Sequence, residues 1–232
     1  MKILTINSNK TKITSLAAVV ALLGLGAVQA QGQSVLYNFS DGTADGWANS
    51  GFGTTPVAVV QTIGGQNYIN IPLGGFQVAN VQTGASGNLP TFTATMAAAA
   101  ANPSGYNISY NYYINTAGFS GATYLQLSTY VNENNGYYAQ DAANEVSLDG
   151  TQLASGGIFS GTVTINMAAV GFTGMSATDT GYKLGLIENG NGTGVSVNYT
   201  GISVAPVPEP SSLALAGLGA VGGLLTLRRR LA

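Results

Sequence analysis

The chain has 232 residues, of which 45% are apolar and only 7% are charged, and its formal net charge is −2. Nearly all basic residues stand at the two ends, so residues 31–205 hold eight acidic residues and one lysine, a net charge of −7. A region this acidic does not attract phosphates over long range, which excludes nucleic acid as a partner. The absence of cysteine and histidine excludes disulfides, thiol nucleophiles, a Ser-His-Asp triad and imidazole zinc sites.

Residues 1–30 have the order of a secretory signal peptide. Lysines come first, an apolar stretch at 16–28 follows, and small side chains precede Gln31. The pattern predicts export, with cleavage by signal peptidase after Ala30. The alternatives, a buried helix or a retained membrane anchor, are disfavoured because the apolar stretch is short for a membrane span.

Residues 31–205 are predicted to form one all-β domain. Segments of alternating apolar and polar residues recur along this region, separated by glycine and asparagine. They lie at 34–40, 57–62, 66–72, 106–112, 124–131, 162–167, 182–188 and 194–204. The alanine-rich segment 92–101 predicts a short helix that ends at Asn102-Pro103. Eight or more short strands with one buried face indicate an antiparallel β-sandwich.

Residues 206–232 combine three features in a fixed order. They are Val207-Pro208-Glu209-Pro210, an apolar run at 213–227, and Arg228, Arg229 and Arg230. As a helix, the apolar run would be roughly 23 Å long, just short of a comfortable bilayer crossing, and the arginines are typical of a cytoplasmic stop. The prolines favour extended backbone, which a protease can grip. A transmembrane helix preceded by an exposed strap is therefore expected.

This tail resembles the PEP-CTERM sorting signal. In that family an exosortase-type transpeptidase recognises the Pro-Glu-Pro element, here Pro208, Glu209 and Pro210, and cuts near it. The resemblance implies a protein held transiently in the inner membrane and then sent to the cell surface or to an extracellular polysaccharide matrix such as a biofilm. The alternative is a proline-containing linker to a plain membrane anchor.

The first and last strands of the predicted domain resemble those of jelly-roll carbohydrate-binding modules and galactose-binding-like domains. The similar stretches are SVLYNFSDGTADGW at 34–47 and GVSVNYTGISV at 194–204. The resemblance implies that these strands are neighbours and that Asp41, Asp45 and Asn198 hold a structural calcium ion. Asn198 departs from the commoner pattern, which has aspartate there. The alternative is that both aspartates bond their own turn backbone.

Aromatic and amide side chains make polysaccharide binding the first functional hypothesis. If Leu125, Leu127 and Val131 face the core, then Tyr124, Gln126 and Tyr130 share the opposite face. Together with Trp47, the only tryptophan, they are the candidate carbohydrate-binding residues. The alternative is that the tyrosines pack in or over the sheet, as tyrosine often does in strands.

Two other classes of function stay open. A structural matrix or surface-coat protein without a small ligand is the second hypothesis, and a glycan hydrolase or lyase is the third. The only acidic cluster comprises Glu133, Asp141, Glu145 and Asp149. Its segment is rich in Asn, Gly and Ala, so we expect a solvated acidic loop without the apolar frame that raises a catalytic pKa. The sequence therefore predicts a noncatalytic protein.

Overall fold

The computed structural model of the protein describes residues 33–49, 58–72, 75–121 and 123–208. These residues contain twelve strands and two α-helices. The strands are β1 (Val35–Tyr37), β2 (Ala48–Asn49), β3 (Val59–Ile63), β4 (Gln66–Pro72), β5 (Phe76–Gln82), β6 (Tyr106–Asn115), β7 (Tyr124–Glu133), β8 (Tyr138–Gln140), β9 (Val146–Asp149), β10 (Ile158–Asn166), β11 (Tyr182–Gly190) and β12 (Ser196–Pro206). The helices are α1 (Phe92–Ala101) and α2 (Gly150–Ala154), and a 3-10 turn spans Pro103–Gly105.

The strands form two antiparallel sheets of six strands each. Sheet A has the order β10-β6-β12-β4-β3, with β1 also paired to β12. Sheet B has the order β2-β5-β11-β7-β8, with β9 also paired to β7. The predicted antiparallel β-sandwich is confirmed. The first and last strands are neighbours, since Val35 pairs with Val204 and Tyr37 with Ile202.

The core lies between the inner faces of the two sheets and is built by alternation. In β7, Leu125, Leu127 and Val131 are buried in the core cluster. In β6, Ile108 and Ile114 occupy equivalent inward positions. Because side chains alternate across a strand, the even-numbered residues of β7 and the odd-numbered residues of β6 point away from the core.

Helix α1 forms where the alanine run was predicted to be helical. Its buried residues include Phe92, Met96 and Ala99, and the helix ends before Pro103, whose ring is incompatible with a continuing helix. Beside the start of α1, Tyr37 packs edge-on against Trp47 and Phe92, with ring centroids 5.5 Å and 6.5 Å apart.

The predicted signal peptide and the predicted transmembrane helix at 213–227 lie outside the described residues. Within the described part of the chain, no helix is long and apolar enough to cross a membrane.

Candidate functional site

The outer face of sheet B gathers side chains from four strands, β5, β7, β8 and β11. Register places Gln126 of β7 beside Asn189 of β11, which in turn lies beside Phe76 of β5. Paired residues in an antiparallel sheet share a face, so the three side chains point away from the core together. In the same way, β8 adds Tyr138 opposite Asn132.

Three aromatic side chains on this face are exposed. They are Phe76, Tyr124 and Tyr138, with 38%, 37% and 52% of their surface accessible. Among the described residues, these are the only exposed aromatic side chains. Tyr138 lies level with Asn132, eight positions along β7 from Tyr124, which separates the two rings by roughly 26 Å along the strand. The polar side chains between them are Gln126, Asn132, Gln140 and Asn189. We call these seven residues the aromatic face.

Hydrogen bonds fix the polar groups of the aromatic face. The Tyr124 hydroxyl donates to Asn189 Oδ1 at 3.4 Å, and Asn189 Nδ2 donates to Gln126 Oε1 at 3.3 Å. At the other end, the Tyr138 hydroxyl donates to Gln140 Oε1 at 3.0 Å. Each pair orients an amide beside an aromatic ring, and Gln140 Nε2 in turn donates to Ser128 Oγ at 3.1 Å. Such preorganised rings and amides suit the apolar faces and hydroxyl rims of sugars.

Sequence reasoning selected Tyr124 and Gln126 correctly as members of one outward face, but two other selected residues lack accessible rings. Tyr130 is on the same face, yet only 7% of it is exposed. Its ring lies over Gly185 and packs against Tyr138, with centroids 5.6 Å apart. It therefore supports Tyr138 from below. Trp47 is fully buried in the core, so it has no ring face for a sugar, and this expectation is corrected.

Sequence reasoning missed Tyr138 and Phe76. Tyr138 belongs to a strand of three residues, too short for an alternation pattern. Phe76 opens β5, whose sequence FQVANVQ does not alternate regularly between apolar and polar residues. These rings share one face only because β5 pairs with β11 and β8 pairs with β7 within sheet B.

No hydrogen-bond partner is common to all three residues predicted to hold calcium. Asp41 and Asp45 meet through the Thr43 hydroxyl, at 2.9 Å and 3.0 Å. The Asn198 amide instead accepts from Asn70 Nδ2 at 2.7 Å and donates to the Tyr113 carbonyl on the outer face of sheet A. Within the described ranges, no group of three acidic side chains is arranged for a metal ion. These residues do not fit a three-ligand site.

The two aspartates differ in environment. The backbone N–H and the hydroxyl of Thr43 lower the pKa of Asp41, as expected for a turn carboxylate that binds its own loop. Burial raises the pKa of Asp45. Both observations agree with the alternative reading of these residues as turn aspartates.

The acidic segment is not the solvated loop that the sequence predicts. Glu133 and Asp141 are buried, and the Glu133 carboxylate accepts from the backbone N–H of Ser176 at 2.8 Å and from Asn135 Nδ2 at 2.9 Å. Burial also raises the pKa of Glu145. The expectation failed because the β7 inward face and the turns after it are covered by tertiary contacts that the local composition does not reveal.

A fourth acid, Glu188, is buried between the sheets. Its carboxyl oxygens and the hydroxyls of Tyr199, Tyr110 and Thr129 have no hydrogen-bond partner. Desolvation raises the pKa of Glu188 well above its usual value, and the nearby Tyr199 hydroxyl acts in the opposite direction. The carboxyl is enclosed by core residues, so it does not flank a surface groove in which a glycan could be cut.

The start of the predicted sorting signal leaves the domain beside the 3-10 turn. The Val207 backbone N–H donates to the Gly105 carbonyl at 2.8 Å, and Pro208 is exposed. Glu209, Pro210 and the three arginines at 228–230 lie outside the described residues.

The described fold and face define an antiparallel β-sandwich with an exposed aromatic and amide surface. Residues 206–230 match the family model of the PEP-CTERM protein-sorting motif. The chain therefore carries a sorting signal that belongs to exported proteins and acts at a membrane. A comparison with curated proteins gives no match.

Solved structures with a similar arrangement of strands include several carbohydrate-binding modules. A module of type CBM28 specific for non-crystalline cellulose is 13% identical, with a TM-score of 0.48, over 72% of this chain and 91% of that one. The CBM22-1 xylan-binding domain from Paenibacillus barcinonensis Xyn10C is 12% identical, with a TM-score of 0.44, over 78% and 98% of the two chains. The xylan-binding module CBM15 is 13% identical, with a TM-score of 0.42, over 76% and 97%. At these values no common ligand follows.

Proposed function

We propose that this exported protein is a noncatalytic module that binds a surface or extracellular polysaccharide through the aromatic face. The observation that supports this is the collection of all three exposed aromatic rings of the described residues on one side of one sheet. Rings in these positions present apolar planes on the same side of the domain as the amides of Gln126, Gln140 and Asn189. Sugar stacking is the chemistry that such planes support best.

The charge of the aromatic face indicates a neutral ligand. Lys183 is the only basic side chain on the described strands, and the Asp149 carboxylate caps helix α2 by accepting from the Gln152 backbone N–H at 2.8 Å. The centre of the face offers amides and hydroxyls instead of charges. Hydroxyl-rich neutral glycans match these groups, whereas densely anionic polymers meet a domain of net charge −7.

Binding is measured by affinity electrophoresis in gels that contain soluble neutral polysaccharides, followed by a glycan array. Tyr124→Ala and Tyr138→Ala should each reduce retardation at least several-fold, since stacking on an aromatic ring contributes on the order of 1 kcal/mol. Tyr68→Ala is the matched control, because Tyr68 lies on the outer face of sheet A. Equal losses for all three variants would contradict the assignment of the site.

The absence of catalysis in this proposal is supported by how the acids are engaged. Glu133 holds backbone and amide donors, and Glu188 is enclosed in the core. Retention without release of reducing ends is the expected result with every glycan that binds. Release of reducing ends by the purified protein, abolished in Glu133→Gln or Glu188→Gln, would overturn the noncatalytic assignment.

A structural matrix protein is the second candidate, and the outer face of sheet A favours it. That face is a polar lattice in which side chains bond one another, for example Ser109 to Thr164 at 2.9 Å and Thr162 to Asn111 at 2.7 Å. Such a face has few free groups for a small ligand. Failure to bind any glycan, together with incorporation into the matrix, would favour this candidate.

We further propose that an exosortase-type transpeptidase processes the tail and that the mature protein leaves the inner membrane for the cell surface or matrix. Intact-mass measurement of the surface protein is the test, with Pro208→Ala, Glu209→Ala and Pro210→Ala combined as the comparison. The wild type should lack the segment after the Pro-Glu-Pro element, while the variant stays in the inner membrane. An uncut tail in both would leave a plain membrane-anchored protein.

A calcium ion stays a prediction for Asp41 and Asp45 alone. Added calcium should raise the unfolding temperature of the wild type but not that of Asp45→Asn. An equal temperature with calcium and with a chelator would exclude the ion.

A further inference from the structure

Strand β10 forms an open edge of sheet A. It has nine residues and pairs with β6 over its whole length, from Ile158 opposite Asn115 to Asn166 opposite Asn107. In the described part of the chain, no strand lies beyond it. Its sequence, IFSGTVTIN, contains neither a charge nor a proline. Natural edge strands usually carry one of these devices against pairing with another chain.

The free backbone groups of β10 belong to its even-numbered residues. At one end, the Thr116 N–H donates to the Gly157 carbonyl at 2.9 Å; at the other, the Met167 N–H donates to the Tyr106 carbonyl at 3.1 Å. Backbone groups in an antiparallel pair alternate between the partner and the opposite side. Odd-numbered residues therefore bond β6, and Ser160, Thr162 and Thr164 direct their N–H and C=O groups to the open side.

We propose that two copies of this chain associate through β10, antiparallel and about a two-fold axis at Thr162. In this register Thr162 of one copy lies opposite Thr162 of the other. Ser160 of each copy lies opposite Thr164 of the other. All of these are positions whose backbone groups are free, so each pair forms two hydrogen bonds. A slip of one residue would place odd-numbered residues opposite even-numbered ones and lose these bonds.

The side chains of β10 fit the same register. On the inner face, Phe159 of one copy meets Ile165 of the other, and Gly161 meets Val163. Phe159 and Ile165 are only half-buried in the single chain, although the residues paired with them on β6, Ile114 and Ile108, are fully buried. A second β10 covers this remaining apolar surface.

Charge supports a second copy as the partner. The six strands of sheet A contain no acidic or basic residue, so the net charge of −7 resides on sheet B and on the loops. Edge pairing therefore places no like charges opposite one another, which would oppose the contact. An edge that pairs with itself is also complementary by symmetry.

A cysteine at the axis tests the register directly, because the chain has no cysteine of its own. Paired residues with mutual hydrogen bonds lie about 5.5 Å apart between Cα atoms, which is within disulfide reach. Thr162→Cys should therefore give a disulfide-linked dimer of the full-length chain under mild oxidation. Thr164→Cys is the matched control, since in this register its two copies lie roughly 13 Å apart and should not crosslink.

Light scattering after size exclusion gives the second measurement. The wild type should elute with twice the mass of one chain. Thr162→Pro removes an N–H from the open side and leaves the backbone bonds to β6 intact, so it should be folded but monomeric. If the proline variant folds poorly, Thr162→Lys places two like charges directly opposite each other at the axis and should separate the copies. A monomeric wild type at the highest soluble concentration, or equal crosslinking at 162 and 164, would overturn the proposal.

Discussion

Replacing Glu188 with glutamine should stabilise the protein at neutral pH. The carboxyl is fully buried without a hydrogen-bond partner, and desolvation raises its pKa well above the usual value. The native state therefore keeps a proton that the unfolded chain releases near the ordinary pKa. The stability from this group is complete below the ordinary pKa and is lost as the pH rises toward the raised pKa. Glutamine is neutral and of similar size, so it has no proton to lose.

The size of the effect follows from proton linkage. One proton difference changes the free energy of unfolding by about 1.4 kcal/mol per pH unit. Between about pH 5 and about pH 7 the wild type therefore loses up to roughly 2.7 kcal/mol through Glu188, and the variant avoids this loss. Glu145, whose pKa is also raised by burial, contributes equally to both proteins and cancels in the comparison.

Urea unfolding at several pH values measures this difference, with the fluorescence of the buried Trp47 as the signal. Glu133→Gln is the matched control, since that carboxylate accepts from Ser176 and Asn135. Its replacement should destabilise by about 1–3 kcal/mol, because one oxygen acceptor becomes a donor. Parallel pH profiles of the wild type and Glu188→Gln would refute the reasoning, since they would show that Glu188 titrates normally in the native state.

Three further substitutions, measured by thermal unfolding, test the turns of the domain. Gly46→Ala should destabilise the protein by more than about 1 kcal/mol. Gly46 has a φ of +79°, and an added Cβ would lie 2.8 Å from the Asn88 backbone nitrogen. Gly42 has a φ of +80° but open space around it, so Gly42→Ala measures the conformational cost without the clash. Asp149→Ala should cost about 1 kcal/mol because it removes the N-cap of α2.

The strand pattern and the tail could be predicted because each depends on local order in the sequence. Alternation in β7 places Tyr124 and Gln126 on one face whatever the rest of the fold does. The sorting motif is likewise read from one continuous segment. The bounds of the longer strands were correct to within a few residues for the same reason.

The site could be predicted only in part because its remaining members come together through pairing. Tyr138 lies on the aromatic face because β8 pairs with β7 and places Tyr138 opposite Asn132. A strand of three residues is too short for its sequence pattern to predict this pairing. Burial of Glu133, Glu188 and Trp47 likewise depends on which elements cover them. From composition alone, acidic residues are expected to be exposed and an aromatic residue near a turn is a candidate for binding. Both expectations are wrong at these three residues, because all three are buried.

The two sheets differ in charge and in the surfaces that they expose. Sheet B carries the aromatic face, Lys183 and the buried Glu188, whereas the strands of sheet A carry no charge and offer the open β10 edge. A dimer joined through sheet A leaves both aromatic faces uncovered by the contact. Two faces on one particle bind a long polymer with higher avidity than one, because the second contact forms at a high effective concentration. A single-face affinity that is weak in isolation would therefore be sufficient in a polysaccharide matrix, and Thr162→Pro should weaken retention in polysaccharide gels even though Thr162 lies outside the aromatic face.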